Sequence, residues 1–203
     1  MKLYTSVASP FSRKVRIIVQ ELDLKRLVEE VQTNPGTSEE LKRINPLGKI
    51  PALVLADGSA LIDSKVICEY LNDVGNGKFF PGTSLWHSDS GRWRALGLQA
   101  LGDGVADAAV ALMVESRRPE GEKSQAFIDK QTAVIARTLD ALERARFAAQ
   151  PTIGEIAVGC AIGYLDFRMP DLGWRQSRAN LSAWYEKFAN YPSMRTTAPD
   201  APT

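Results

Sequence analysis

What constrains this chain most is where its hydrophobic periodicity changes. Up to about residue 74, short apolar runs of strand length alternate with helical patterns; beyond residue 86 only helical patterns remain. The two stretches need different packing solutions, so two domains of different architecture are expected, at residues 1–76 and 86–203. Between them "GNGKFFPGTSLW", residues 75–86, is rich in Gly and Pro, has no periodicity and reads as a linker. A chain of 203 residues with 44% apolar content has enough material to give both domains a core.

In the first part, Lys2 to Thr5 is a strand candidate. A helix follows over residues 10–22, with Val15, Ile18, Val19 and Leu22 at helical spacing. Pro10 suits its first position and Ser9 its N-cap. Leu27 to Gln32 reads as a second strand. "TSEELKRIN" reads as a short helix capped by Ser38, with Glu39 and Glu40 where the helix dipole favours them. "IPALVLADGSALIDS" carries two apolar runs about Asp57-Gly58, a hairpin signal, and Ser64 then caps "KVICEYLNDV". The order is βαβ, α, ββα: an α/β domain with one parallel strand pair and an antiparallel hairpin. In the second part, residues 88–117, 122–148 and 152–168 read as helices. A fourth is capped by Asn180 and stopped by Pro192. Thr152 with Glu155 has capping-box spacing.

Lys and Arg total 25 against 24 acidic residues, so no net field draws nucleic acid or an anionic membrane to this surface. A small neutral or zwitterionic ligand fits better. The start of the chain lacks the apolar core of a signal peptide, and no run of about 18 apolar residues marks a membrane span, so a cytoplasmic protein is expected. Cys68 and Cys160 lie far apart in apolar periodic segments and read as buried, reduced thiols rather than a disulfide. With His87 as the single histidine, a multi-histidine metal site is excluded and no metal is expected.

Three short stretches carry chemistry. Ser9-Pro10-Phe11-Ser12 has the spacing of a redox C-x-x-C with oxygen in place of sulfur. A hydroxyl cannot exchange disulfides, but at a helix N-terminus it can donate to an anion such as a thiolate. Capping alone is the plainer use of Ser9. In "NPLGKIPAL", Pro51 stands directly before an apolar strand, which points to a turn or a cis bond. If cis, Ile50 offers its amide and carbonyl to a peptide-like ligand; an ordinary trans turn is the alternative. In "LIDSKVICEYL", Asp63 can accept from an ammonium while Ser64, at a helix start, holds a carboxylate; together they suit an α-amino-acid head group, or simply cap a helix. Such loops can converge at the strand ends of an open α/β sheet.

These motifs, the linker and the helical second part resemble the cytosolic glutathione transferases, in particular bacterial serine-type members related to the theta and zeta classes, over residues 1 to about 198. The resemblance implies an α/β thioredoxin-like domain followed by an all-α domain, a homodimer, glutathione as co-substrate and a small electrophile as second substrate. It gives Ser9 to the glutathione sulfur, Ile50 before cis-Pro51 to the cysteinyl backbone, and Asp63 with Ser64 to the γ-glutamyl head group. Lys49 would lie near the glycyl carboxylate. Asp103 would reach across the dimer interface to the γ-glutamyl amine, although Asp103 and Asp107 also suit a solvated helix face. Phe11, with Val110 or Met113, would bound an apolar cavity for the electrophile. Glu155 departs from the aspartate usual in the family's capping motif. No cysteine or tyrosine occupies the opening motif; Tyr4 belongs to the first strand, so cysteine-based reductive chemistry is a poor model. A binding or regulatory protein without turnover, and a glutathione-dependent isomerase or peroxidase, are the alternatives.

Overall fold

Apolar alternation on a four-residue strand is enough to place it between two layers, and the first strand does this. In the computed structural model, which describes residues 1–82 and 91–199, β1 (Lys2–Thr5) is central in a four-stranded sheet of order β2-β1-β3-β4. It pairs in parallel with β2 (Glu29–Gln32) and antiparallel with β3 (Ala52–Val54), which pairs antiparallel with β4 (Ala60–Ile62). Tyr4 and Ala52 meet Leu41 of α2 (Glu39–Ile44) on one face, with Val31, Ile44, Val54 and Ile62 packed around them. Leu3 and Thr5 point the other way, as the pleat requires, toward the layer of α1 (Pro10–Glu21) and α3 (Ser64–Val74), which pack together through apolar faces. Buried there are Val15, Ile18 and Val19 of α1 and Ile67, Cys68 and Leu71 of α3.

The second strand begins later than its apolar start indicated. Asp23 takes a left-handed conformation (φ 53°), Leu24–Arg26 form a turn of 3-10 helix, and Leu27 is left exposed. Both cysteines are buried, and no disulfide joins them.

By packing, the chain forms two units: Met1–Arg92 with the segment from Pro192, and Trp93–Tyr191. Pro192, expected to stop the fourth helix, stands past that helix's end at Phe188 and also opens α8 (Pro192–Thr196), the last helix among the described residues. Proline at a first helical position loses no hydrogen bond. Arg13 of α1 ties this segment down, its Nη2 donating to the Met194 carbonyl at 2.7 Å and its Nε to Thr197 Oγ1 at 3.4 Å.

The other unit is helical: α4 (Gly91–Ser116, beginning in the first unit), α5 (Gln125–Glu143), α6 (Ile153–Arg168) and α7 (Ala179–Phe188). α4 is long and apolar enough, by length and composition, to cross a bilayer. Part of that apolar character serves close packing on α6. A Cβ at Gly102 would lie 2.6 Å from the backbone of Ala157 and Val158, and one at Gly154 would lie 2.6 Å from Leu98 Cβ, so glycine lets the helices touch. α5 stops at Glu143 rather than near 148, because Phe147 turns to stack on Trp184 (centroids 3.9 Å apart) and the Ala148 amide donates to Glu155. Asn180 is not the cap of α7. Instead the Glu143 carboxylate accepts from the Asn180 and Leu181 amides at 3.0 and 2.8 Å, a long-range partner that local pattern does not reveal. Residues 83–90, with His87, the end of the expected linker and the expected helix start at 88, lie outside the described residues.

Candidate functional site

The sheet register gathers the three chemical stretches at one end. Tyr4 is opposite Ala52, and Ala52 is opposite Ile62. One step further along this row stand Thr5, Pro51 and Asp63, so the loops bearing Ser9, Ile50 and Ser64 leave from the same edge.

Ser9 is the N-cap of α1 in extended conformation (φ −87°, ψ 125°), and its Oγ accepts from the Ser12 amide at 3.2 Å. A hydroxyl that accepts one bond still has its proton to give. No described residue takes that proton, and Ser9 is half-buried at the rim. Ser12 is different: its side chain is 0% exposed and its Oγ accepts from the Ser6 amide at 3.4 Å. Of the two serines, Ser9 is the one a ligand can reach.

The Ile50-Pro51 peptide is cis and β3 starts at the next residue. A residue not singled out from the sequence shapes this loop. Asn45, 2% exposed, donates from Nδ2 to the Lys49 carbonyl at 2.7 Å and accepts at Oδ1 from the Leu47 amide at 3.0 Å. Gly48 makes the turn with φ 61°, where a side chain is disfavoured. Asn before Pro-Leu-Gly is an Asx-turn signal that was there to be read. The Lys49 side chain is exposed and has no carboxylate partner among the described residues.

At the third loop the capping assignment changes. Asp63, not Ser64, is the N-cap of α3: its Oδ1 accepts from the Lys65 amide at 3.0 Å and from Ser64 Oγ at 3.3 Å. Its φ of 65° is a left-handed value that Asp tolerates because its short carboxylate bonds locally. Ser64 becomes the first helical residue and is buried, while Asp63 is exposed beside it.

Tyr4 is occupied elsewhere. Its hydroxyl donates to Glu40 Oε1 at 2.6 Å, and that bond, with burial and the Glu40 charge, pushes its pKa up. In the same unit, Phe11 is half-buried next to Pro10. On α4, Val110 and Met113 are half-buried, Asp103 is buried and Asp107 is exposed, so the two aspartates do not share one solvated face.

A concavity of about 760 Å³ opens at the other end of the sheet, among Lys2, Glu29, Arg43, Val54 and Ala60. It lies by the starts of β1, β2 and β4, away from the loops of Ser9, Ile50 and Asp63, and holds no helix N-terminus with a free hydroxyl.

The chain matches the models of the glutathione S-transferase N-terminal domain over residues 8–74 and of the glutathione S-transferase C-terminal domain over residues 125–187. It is 31% identical to the uncharacterized GST-like protein YibF of Escherichia coli K12, over 98% of each chain. A glutathione transferase family member from Pseudomonas fluorescens Pf-5, solved with bound glutathione, has a TM-score of 0.87 and 40% identity over 98% of each chain. A further Pf-5 structure, with bound S-(propanoic acid)-glutathione, gives a TM-score of 0.82 and 39% identity, covering 98% of this chain and 100% of that one. With the α/β unit, the helical unit and near full-length matches agreeing, the chain belongs to the glutathione transferase family.

Proposed function

We propose that the protein is a glutathione transferase in which the Ser9 hydroxyl holds the glutathione sulfur as thiolate for attack on a small electrophile. The observation that carries this is the contrast at the start of α1: Ser9 is half-buried at the rim with a hydroxyl proton to donate, while Ser12 is 0% exposed and out of a ligand's reach. A free thiol has a pKa near ~8.5, so only a few per cent is ionised at neutral pH. A charge-assisted bond from Ser9, at the positive end of α1, favours the ionised form. Asp63 accepts from the γ-glutamyl ammonium, and Ser64 with the first amides of α3 holds its carboxylate. The Ile50 backbone pairs with the cysteinyl residue, and Lys49 attracts the glycyl carboxylate. Phe11, beside Ser9 in sequence, offers an apolar surface to the electrophile, which supplies proximity.

The assembly is a homodimer and the protein works in the cytoplasm. Asp103 as a group reaching the partner's γ-glutamyl amine is supported by the family resemblance alone. A neighbour that binds glutathione with propanoic acid on sulfur supports conjugation as the chemistry, since adding the thiolate to a small acid leaves such a product. The test is calorimetric titration with glutathione, followed by thiol consumption with a panel of electrophiles. Binding with turnover is expected; binding without turnover would make the protein a glutathione receptor.

A further inference from the structure

The loop before β3 is held by one residue whose bonds reach past its own turn. Asn45 follows α2 and is 2% exposed. Its amide donates to the Leu41 carbonyl at 2.7 Å, which closes the end of α2. Its carbonyl accepts from the Gly48 amide at 2.8 Å and its Oδ1 from the Leu47 amide at 3.0 Å, which closes the turn through Pro46 and Leu47. Those bonds suffice to end a helix and make a turn. The remaining one serves neither purpose: Nδ2 donates to the Lys49 carbonyl at 2.7 Å, in the peptide that leads into Ile50.

That peptide is where the loop has backbone to offer. The Ile50 side chain packs against the cluster of Tyr4, Leu41 and Ala52, and Pro51 after it is buried. Among the described residues, no group bonds the Ile50 amide or its carbonyl. An amide and a carbonyl without partners, next to the start of a strand, are what an extended peptide needs in order to pair as an added strand. The Lys49 carbonyl and the Ile50 amide belong to one planar trans peptide, in which C=O and N–H point in opposite directions. Holding the carbonyl toward Asn45 therefore fixes the Ile50 N–H pointing away from it. Leu41, 0% exposed on α2, anchors the helix end from which Asn45 reaches.

We propose that Asn45 is a positioning residue for glutathione: through the Lys49 carbonyl it aims the Ile50 amide at the cysteinyl carbonyl of the tripeptide. The inference rests on the transferase reading, which gives Ile50 to the cysteinyl backbone. Every residue it uses lies in the unit that begins Met1–Arg92, and Asn45 itself touches no ligand. Without its side-chain donor the Lys49–Ile50 peptide has to be ordered when glutathione binds, and that cost falls on affinity. Thiolate formation belongs to Ser9, in a different loop, and is not affected.

The test is calorimetric titration of glutathione into wild type, Asn45→Asp and Asn45→Ser. Asn45→Asp keeps the shape and the acceptor for the Leu47 amide but loses the donor to Lys49. Asn45→Ser keeps a hydroxyl acceptor for the turn, buries no charge and is too short to reach Lys49. Both variants are expected to bind glutathione about tenfold more weakly at unchanged stoichiometry. The ultraviolet thiolate absorbance of glutathione at saturation should match that of wild type. A merely structural role predicts the reverse, a lower stoichiometry from lost folded protein with Kd unchanged, and that result would overturn the proposal. Wild-type affinity in Asn45→Ser would also overturn it, since that variant lacks the donor without carrying a charge. If glutathione does not bind wild type, the transferase reading itself fails and the positioning role with it.

Discussion

Two helices in this molecule begin in opposite ways. α6 starts in a closed box: Glu155, 2% exposed, accepts from the Thr152 amide, the Thr152 hydroxyl and the Ala148 amide, and Thr152 Oγ1 accepts from the Gly154 amide. That helix start is closed on itself. α1 starts with a proline that has no N–H, a serine whose hydroxyl accepts one bond and keeps a proton to give, and a rim position. The same capping chemistry closes on itself where it is reciprocated, and is left open to a ligand where it is incomplete at the edge of a sheet. Capping residues are therefore read best by what their protons do, not by their type.

The comparison can be tested most strongly at the closed helix. Gly102→Ala puts a Cβ 2.6 Å from the backbone of Ala157 and Val158, which cannot move aside as a side-chain tip can. We expect destabilisation at or beyond the upper end of the ~1–3 kcal/mol typical of overpacking. Denaturant unfolding checks it, and a wild-type midpoint would mean α4 and α6 are not in contact. The open side should respond in binding rather than stability. Asp63→Ala with Ser64→Ala is expected to weaken glutathione binding by roughly 2 to 4 kcal/mol through lost charge-assisted contacts. Unchanged affinity in calorimetry would place the γ-glutamyl head group elsewhere.

Glu155→Ala removes the buried carboxylate that takes three part-buried donors and should cost about 2 to 3 kcal/mol in thermal melts while glutathione affinity holds. Loss of binding without loss of stability would reverse the roles given to the two helix starts. The smallest effect is expected at Glu143. Its carboxyl is held below the ordinary 4.5, first by the Leu181 amide and then by the Asn180 amide. A depressed carboxylate contributes stability that is present above 4.5 and lost as pH falls through its lower folded value. Glu143→Gln should flatten that part of the acid-unfolding curve, and an unchanged slope would remove the cap from α7.

Most of the α/β unit was legible because its signals are local. Pro10 after Ser9, the glutamates after Ser38 and the Asp57-Gly58 turn each act within a few residues of themselves, and the helices and hairpin stand where those signals put them. The family resemblance supplied what local signals do not, the expectation that three loops join in one glutathione site. What the sequence hid was settled by neighbours distant in the chain or by a choice between adjacent residues. Trp184 and Glu155 end α5 early, and Glu143 rather than Asn180 caps α7. Between Asp63 and Ser64, backbone conformation decided the cap, and no composition signal separates them. Asn45 is a different case: its Asx-turn chemistry is local and is legible in Asn45-Pro46-Leu47-Gly48.

The central claim is that Ser9 donates to the sulfur, and ultraviolet titration of glutathione bound to wild type and to Ser9→Ala tests it most directly. A bond to a charged acceptor contributes about 1.5 to 3 kcal/mol, so thiolate at neutral pH should fall roughly ten- to a hundredfold in the variant, with glutathione affinity nearly intact. Capping alone predicts a melting loss equivalent to about 1 kcal/mol and an unchanged thiol. Thiolate absorbance that survives in Ser9→Ala would contradict the account and move the donor to a backbone amide at the start of α1.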